Sequence, residues 1–171
     1  MRLLLLFLVM SSGWLSAQET DTQPRYQVYY FLGEDCRICH YYAPEINALH
    51  EEFSSEEIGF VGLFPNRYST EEGIQAYKDE YDIQILLKRE YFGTKAKKFG
   101  VTITPEVVIH DSHNDLLVYK GRIDDSYVRP GKRKRVISSH DLKEVLTDLK
   151  SGGERKPTET QAIGCYITFR K

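Results

Sequence analysis

The chain has 171 residues, 41% hydrophobic and 28% charged: enough for one domain with a hydrophobic core and too few for two of comfortable size. Its formal net charge of −2 excludes the strong basic balance of a nucleic-acid or membrane-surface binder. Its three cysteines, Cys36, Cys39 and Cys165, are too few for a disulfide-stapled scaffold and odd in number, which leaves one thiol to explain.

The first residues are set aside before the fold is read. Arg2 supplies a positive start, residues 3–10 are a continuous apolar run, and Ser11, Ser12, Gly13 and Ser16-Ala17 are small residues suited to cleavage. Residues 1–17 therefore predict a secretory signal peptide cut after Ala17. The apolar run is short of the ~20 residues a membrane span needs. The mature chain would carry 22 basic against 25 acidic side chains, a net charge of −3. It is expected to be periplasmic or otherwise exported, with no stable membrane insertion after cleavage and no nucleic-acid partner.

Residues 26–32, Tyr-Gln-Val-Tyr-Tyr-Phe-Leu, predict a first strand. Gly33-Glu34-Asp35 breaks it, with Asp35 as the expected N-cap and Cys36 in the first turn of a helix. Ile38, Tyr42, Ile46, Leu49 and Phe53 follow at spacings of three and four, one face of that helix, with Pro44 inside it. Residues 58–64 read as a second strand and 69–81 as an acidic-starting helix. A short strand is expected at 83–87 and a short helix at 94–99, closed by Gly100. Residues 106–110 and 116–120 predict a hairpin around the polar turn 111–115. Residues 121–135 read as a polar loop ending in the basic run Lys132-Arg133-Lys134-Arg135, taken as solvated. Ser138 or Ser139 should cap a last helix bearing Leu142, Val145, Leu146 and Leu149. Strands alternating with helices imply a largely parallel sheet covered on both faces.

The chemistry concentrates in Cys36-Arg37-Ile38-Cys39. A thiolate, not a thiol, attacks a disulfide, and the unpaired N–H groups and dipole at a helix N-terminus favour negative charge there. Cys36 is the expected nucleophile and Cys39, one turn further in, the expected resolving thiol. Other chemistries use the same residues. A dithiol can be half of a zinc site, and Cys36-Arg37-Ile38-Cys39-His40 matches a c-type haem attachment sequence. Cys36, Cys39, His140 and Cys165 together would make a soft copper or zinc site. Cys165 could equally be a third redox thiol or a small packed residue; the apolar patch 162–167 that carries it should dock, and docking near the dithiol is expected because a lone exported thiol is otherwise open to wrong pairing. His40 and His140 have packing or helix-start readings, and Arg122, Asp124 and Asp125 could order their loop through ion pairs.

Cys36 through Pro44 resembles the thioredoxin arrangement, a dithiol after the first core strand with a proline five residues past the second cysteine. Thr104-Pro105 before a strand resembles the cis-proline that faces the dithiol in that superfamily. The spacing from Cys36 to Pro105 is similar to that of its redoxin branch, which includes peroxiredoxins and exported thiol–disulfide oxidoreductases. Residues 119–125, 140–142 and 162–167 resemble a redoxin subgroup. The resemblance implies an α/β thioredoxin fold, a central mixed sheet flanked by helices, over residues 25–150, with an insert and a C-terminal tail, 151–171, carrying Cys165. It implies catalytic roles for Cys36, Cys39 and Pro105, protein thiols and disulfides as substrates, an envelope redox partner, and no dissociable cofactor. Two departures stand out. Asp35 replaces the tryptophan expected before the first cysteine, and its carboxylate should oppose thiolate formation on Cys36. No peroxiredoxin-type Pro-x-x-x-Thr-x-x-Cys precedes Cys36.

Overall fold

The computed structural model describes residues 23–153 and 155–170, so the expected signal peptide lies outside the described residues. The elements in chain order are β1 (Tyr26–Phe31), α1 (Arg37–Phe53), β2 (Ile58–Phe64), α2 (Glu71–Glu80), β3 (Leu86–Arg89), α3 (Thr94–Lys98), β4 (Ile103–Thr104), β5 (Glu106–Asp111), β6 (Leu116–Gly121), β7 (Tyr127–Arg129), β8 (Lys132–Arg133), α4 (Asp141–Lys150), β9 (Thr158–Glu159) and β10 (Cys165–Tyr166). Six strands form the main sheet in the order β3-β2-β1-β5-β6-β9. β3, β2 and β1 run parallel, β5 turns antiparallel to β1, β6 antiparallel to β5, and β9 parallel to β6. The sheet is thus mixed, with its parallel half on the side of β1–β3.

The period-two alternation of β1 explains the layers. Val28, Tyr30 and Leu32 face the larger core, built with Ile38, Tyr42, Ile46 and Leu49 of α1 and Leu142, Val145 and Leu146 of α4. Tyr29 and Phe31 face a smaller second core with Val61, Leu63, Ala96, Val101 and Val108. α3 is only one turn and a half long and cannot cover that face. Ile167 and Phe169 of the C-terminal tail pack against it and complete the cover. α1 runs unbroken through the exposed Pro44.

Several local expectations are corrected. Cys36, not Asp35, takes the N-cap position of α1 and makes no side-chain bond to the helix amides. β3 begins at Leu86 rather than residue 83, because Ile83 and Ile85 are drawn into the core just before the ladder to β2 opens at Val61. The segment 121–135 contains the hairpin β7–β8, turned at Pro130-Gly131 with Gly131 at φ 75°. His140, rather than Ser138 or Ser139, precedes α4. Ser138 is instead held by Asp125, which accepts from its N–H at 2.9 Å and from its hydroxyl at 2.5 Å. The basic run is not simply solvated. Lys134 pairs with Asp125, and the Arg133 guanidinium lies 4.6 Å from the centroid of Tyr41.

Ile46 is wholly buried in the middle of α1. Ile46→Ala should lower the unfolding free energy by about 2–5 kcal/mol through lost transfer energy and the cavity left behind, read from the denaturant midpoint at unchanged slope.

Candidate functional site

β1 ends at Phe31, and the buried Leu32 delivers the chain to Gly33, whose carbonyl accepts the Cys36 N–H at 3.1 Å. Glu34 fastens this turn to the next element. Its carboxylate accepts from the Ser69 hydroxyl at 2.6 Å and from the Thr70 N–H at 3.2 Å, at the start of α2. The Glu34 carbonyl receives the His40 Nε2 at 2.5 Å, and the His40 ring stacks on Tyr81 at 4.8 Å. His40 is therefore a packing residue that braces the turn. Tyr77 adds a hydrogen bond from its hydroxyl to the Cys39 carbonyl, 3.2 Å long. Sequence reasoning missed Glu34. Its signal was one of two neighbouring acids, Glu34-Asp35, in a loop, indistinguishable from solvated ones.

Cys36 and Cys39 are both buried, Cys39 wholly. β4 crosses in front of them. The Cys36 thiol can donate to the Thr104 carbonyl at 3.3 Å, and the Thr104–Pro105 peptide is cis, with Pro105 buried. Thr104, the residue on the N-terminal side of the cis peptide, thus touches the dithiol. Cys165 joins them. β10 pairs antiparallel with β4, Cys165 opposite Thr104, and brings the Cys165 Sγ to 3.1 Å from the Cys36 Sγ. Tyr68 and Tyr166, both strongly exposed, flank the resulting cleft of about 100 Å³.

The electrostatics divide the three sulfurs. The protonated Cys36 has acceptors in the Thr104 carbonyl and the Cys165 sulfur. The ionised form meets donors from the Cys39 thiol, then the Cys165 thiol, then the backbone N–H groups of Cys39 and Ile38, and these outweigh burial to pull its pKa down to about 5. Burial pushes Cys39 well above its ordinary range, reinforced by the neighbouring Cys36. Burial, and then Cys36, raise Cys165 to about 11. The carboxylate of Asp35 is exposed and does not prevent this depression of Cys36.

The other candidates lie elsewhere. Arg122 makes a two-point ion pair with Asp141, at 2.8 and 3.3 Å, joining the end of β6 to the start of α4. Asp124 accepts from the Tyr42 hydroxyl at 2.5 Å and the Ser126 N–H at 2.8 Å. These residues order the 122–140 segment. His140 lines a surface cleft with Glu45, Lys143 and Thr147, away from the cysteines. The proposed set of Cys36, Cys39, His140 and Cys165 is thus not assembled. Among the described residues no group of three His, Cys, Asp or Glu side chains is placed to hold a metal ion. The haem-attachment reading does not fit either, because Cys39 is wholly enclosed and His40 is engaged by Glu34 and Tyr81.

Sheet order, helix placement and the meeting of a CXXC dithiol with a cis-proline define this chain as a protein of thioredoxin-like fold. Among solved structures it is similar to a hypothetical protein from Sinorhizobium meliloti, at 20% identity and a TM-score of 0.73 over 85% of this chain and 80% of that one. It is similar to an uncharacterized conserved protein from Geobacillus kaustophilus, at 21% identity and a TM-score of 0.74 over 87% and 79%. It is also similar to a secreted Mycobacterium tuberculosis disulfide oxidoreductase homologous to E. coli DsbE, at 15% identity and a TM-score of 0.52 over 74% and 83%. No protein-family model and no curated protein matches the chain.

The divided pKa values give a direct test. Alkylation of Cys36 by iodoacetamide should rise with pH around a midpoint of about 5, and Cys39→Ala should move that midpoint upward by removing the largest donor. A midpoint unchanged in the variant would contradict the assignment. Stability should follow the same linkage. Cys36 titrates near 5 when folded against an ordinary 9.0. It therefore stabilises the reduced protein fully above pH 9 and loses that contribution as pH falls through 5. Reduced protein should gain stability relative to oxidised protein between pH 5 and 9, measured as the difference in denaturant midpoints.

Proposed function

We propose that this chain is an exported thiol–disulfide oxidoreductase that exchanges disulfides with partner proteins through Cys36 and Cys39. The observation that carries this reading is the placement of Cys36: a sulfur lowered to about 5 at the start of α1, backed by a protonated, wholly buried Cys39 and faced by the carbonyl of Thr104, which precedes the cis-proline Pro105. Residues 25–150 would be the working domain and 151–171 a tail. The expected leader at residues 1–17 supports an exported, periplasmic location. The secreted disulfide oxidoreductase from Mycobacterium tuberculosis, of similar fold, fits the same picture. No helix among the described residues is long and apolar enough to cross a membrane.

The exchange uses only the chain's own sulfurs. The Cys36 thiolate attacks one sulfur of a partner disulfide, the partner's S–S bond breaks, and a partner thiolate leaves. Cys39 passes its proton to that leaving group and attacks the Cys36 sulfur. The mixed disulfide breaks, the partner departs with one thiol and one thiolate that takes its proton from water, and a Cys36–Cys39 disulfide holds the oxidation. Two electrons have moved and no dissociable cofactor is needed. An envelope redox partner would restore the dithiol, and the reverse sequence oxidises a partner dithiol.

Cys36→Ser should lower turnover of a model disulfide protein by at least about 100-fold. Cys39→Ser in a Cys165→Ser background, where no second thiol stands beside Cys36, should accumulate mixed disulfides that run as larger species on a non-reducing gel. Full turnover by Cys36→Ser would overturn the proposal.

A further inference from the structure

The two-thiol exchange leaves Cys165 without a task, although the fold spends several independent contacts on putting it at Cys36. β10 is registered on β4 by the pairs Cys165 with Thr104 and Tyr166 with Ile103. The Ile167 N–H donates to the Thr102 carbonyl at 2.9 Å, and the Thr168 carbonyl accepts from the Arg67 N–H at 2.8 Å. Ala162 is buried ahead of the strand, and Ile167 and Phe169 pack into the second core behind it. Gly164 is demanded by this seat. A Cβ there would lie 2.0 Å from the Thr104 carbonyl oxygen and 2.6 Å from its carbon, so only glycine lets the tail run this close to Thr104-Pro105. The result is an extended segment paired with the strand before the cis-proline, presenting a sulfur to Cys36. Cys36 is only 4% exposed, whereas Cys165 is exposed.

We propose that β10 occupies the seat a partner polypeptide would take, and that Cys165 is a third redox thiol that closes a disulfide with Cys36 in alternation with Cys36–Cys39. The inference rests on the thiol–disulfide reading of Cys36. Once Cys36 holds a mixed disulfide with a partner, Cys165 passes its proton to the departing sulfur and attacks the Cys36 sulfur. The bond to the partner breaks, the partner thiol leaves, and a Cys36–Cys165 disulfide forms. Cys39 then attacks the Cys36 sulfur, the bond to Cys165 breaks, and the Cys39 proton moves to Cys165. The net change is the one already written, one partner disulfide reduced and Cys36–Cys39 oxidised, with no additional oxidant. The gain is access. Cys39 is enclosed and cannot meet a partner, while Cys165 at the rim can pass the disulfide outward. Tethering gives Cys165 an effective concentration of order mM or above at Cys36, so it competes with thiols in solution.

The test uses the mature full-length chain, reduced, equilibrated with oxidised glutathione, quenched in acid, digested and mapped by mass spectrometry. The wild type should contain both Cys36–Cys39 and Cys36–Cys165. Cys39→Ser should hold Cys36–Cys165 as its main species, with glutathione on Cys36 the minor one. Gly164→Ala in the Cys39→Ser background should reduce that link by at least about 10-fold in favour of glutathione on Cys36, because the seated strand sets the effective concentration. Cys36 of Cys39→Ser remaining joined to glutathione, with Cys165 unlinked to it, would overturn the inference. If the wild type then still forms Cys36–Cys39 and turns over a disulfide protein, the two-thiol reading survives and only the role of Cys165 falls. If wild-type Cys36 takes neither glutathione nor Cys39, both fall together.

Discussion

The enclosure of Cys39 beneath Cys36 is the constraint on which the site depends. Two sulfurs one helical turn apart cannot both ionise in a buried setting, since each charge opposes the other and each loses water. Here the burial is unequal, and it decides which sulfur carries the charge. Cys39 has no exposure and stays protonated, and its proton points the balance toward a Cys36 thiolate. The helix start supplies two further N–H groups, from Ile38 and Cys39. Neither effect would hold if the turn before α1 could move. The bonds from Ser69, Thr70 and His40 to Glu34 prevent that by binding this turn to α2 and α1 at once.

The opposite wall is built from residues far along the chain. Pro105 is backed by a layer of Tyr42, Ile123, Asp124, Tyr127 and Ile163. The hydrogen bond from Tyr42 to Asp124 ties that layer to α1, and the Arg122–Asp141 pair ties it to α4. Asp125 is kept ionised far below the usual carboxylate range by Lys134 and Ser138. A segment rich in charge and poor in apolar residues thereby acquires a fixed shape. The tail closes the remaining side. Gly121 has a related role at its far end, because its φ of 150° and the Thr160 hydroxyl 2.1 Å from where a Cβ would stand let β6 and β9 approach closely.

Much of this was legible in the residues. The strand β1, the apolar face of α1, the second strand and the last helix follow from hydrophobic periodicity that the packing then uses unchanged. The Cys36–Cys39 pair was legible from its spacing at the start of a helix, and the cis peptide at Thr104–Pro105 from its resemblance to the thioredoxin arrangement. What escaped was non-local. The β7–β8 hairpin is made of residues that read as solvated charge, and its order comes from Asp125 bonding across to Lys134 and Ser138. Asp35 looked like a cap because caps are judged from neighbours in sequence, while its neighbour Cys36 took the position. Ser138 looked free to cap α4 until Asp125 claimed it. The docking of Cys165 beside the dithiol was expected from the chemistry of an exported thiol, and the 3.1 Å contact bears it out; what had no periodic signature is Gly164, whose small size makes the seat possible.

The two outer strands of the main sheet carry a further consequence. A sheet edge offers unpaired N–H and C=O groups to any extended chain, and exposed edges invite one molecule to add to the next. β3, at one edge, is four residues long and carries Lys88 and Arg89. β9, at the other, is two residues long and follows Pro157, which has no N–H to donate. Both edges are thereby poor templates for end-to-end stacking into fibrils. The strand before the cis-proline, β4, is already paired by β10, so among the described residues neither it nor the two short outer strands of the main sheet presents a long free edge to a second copy.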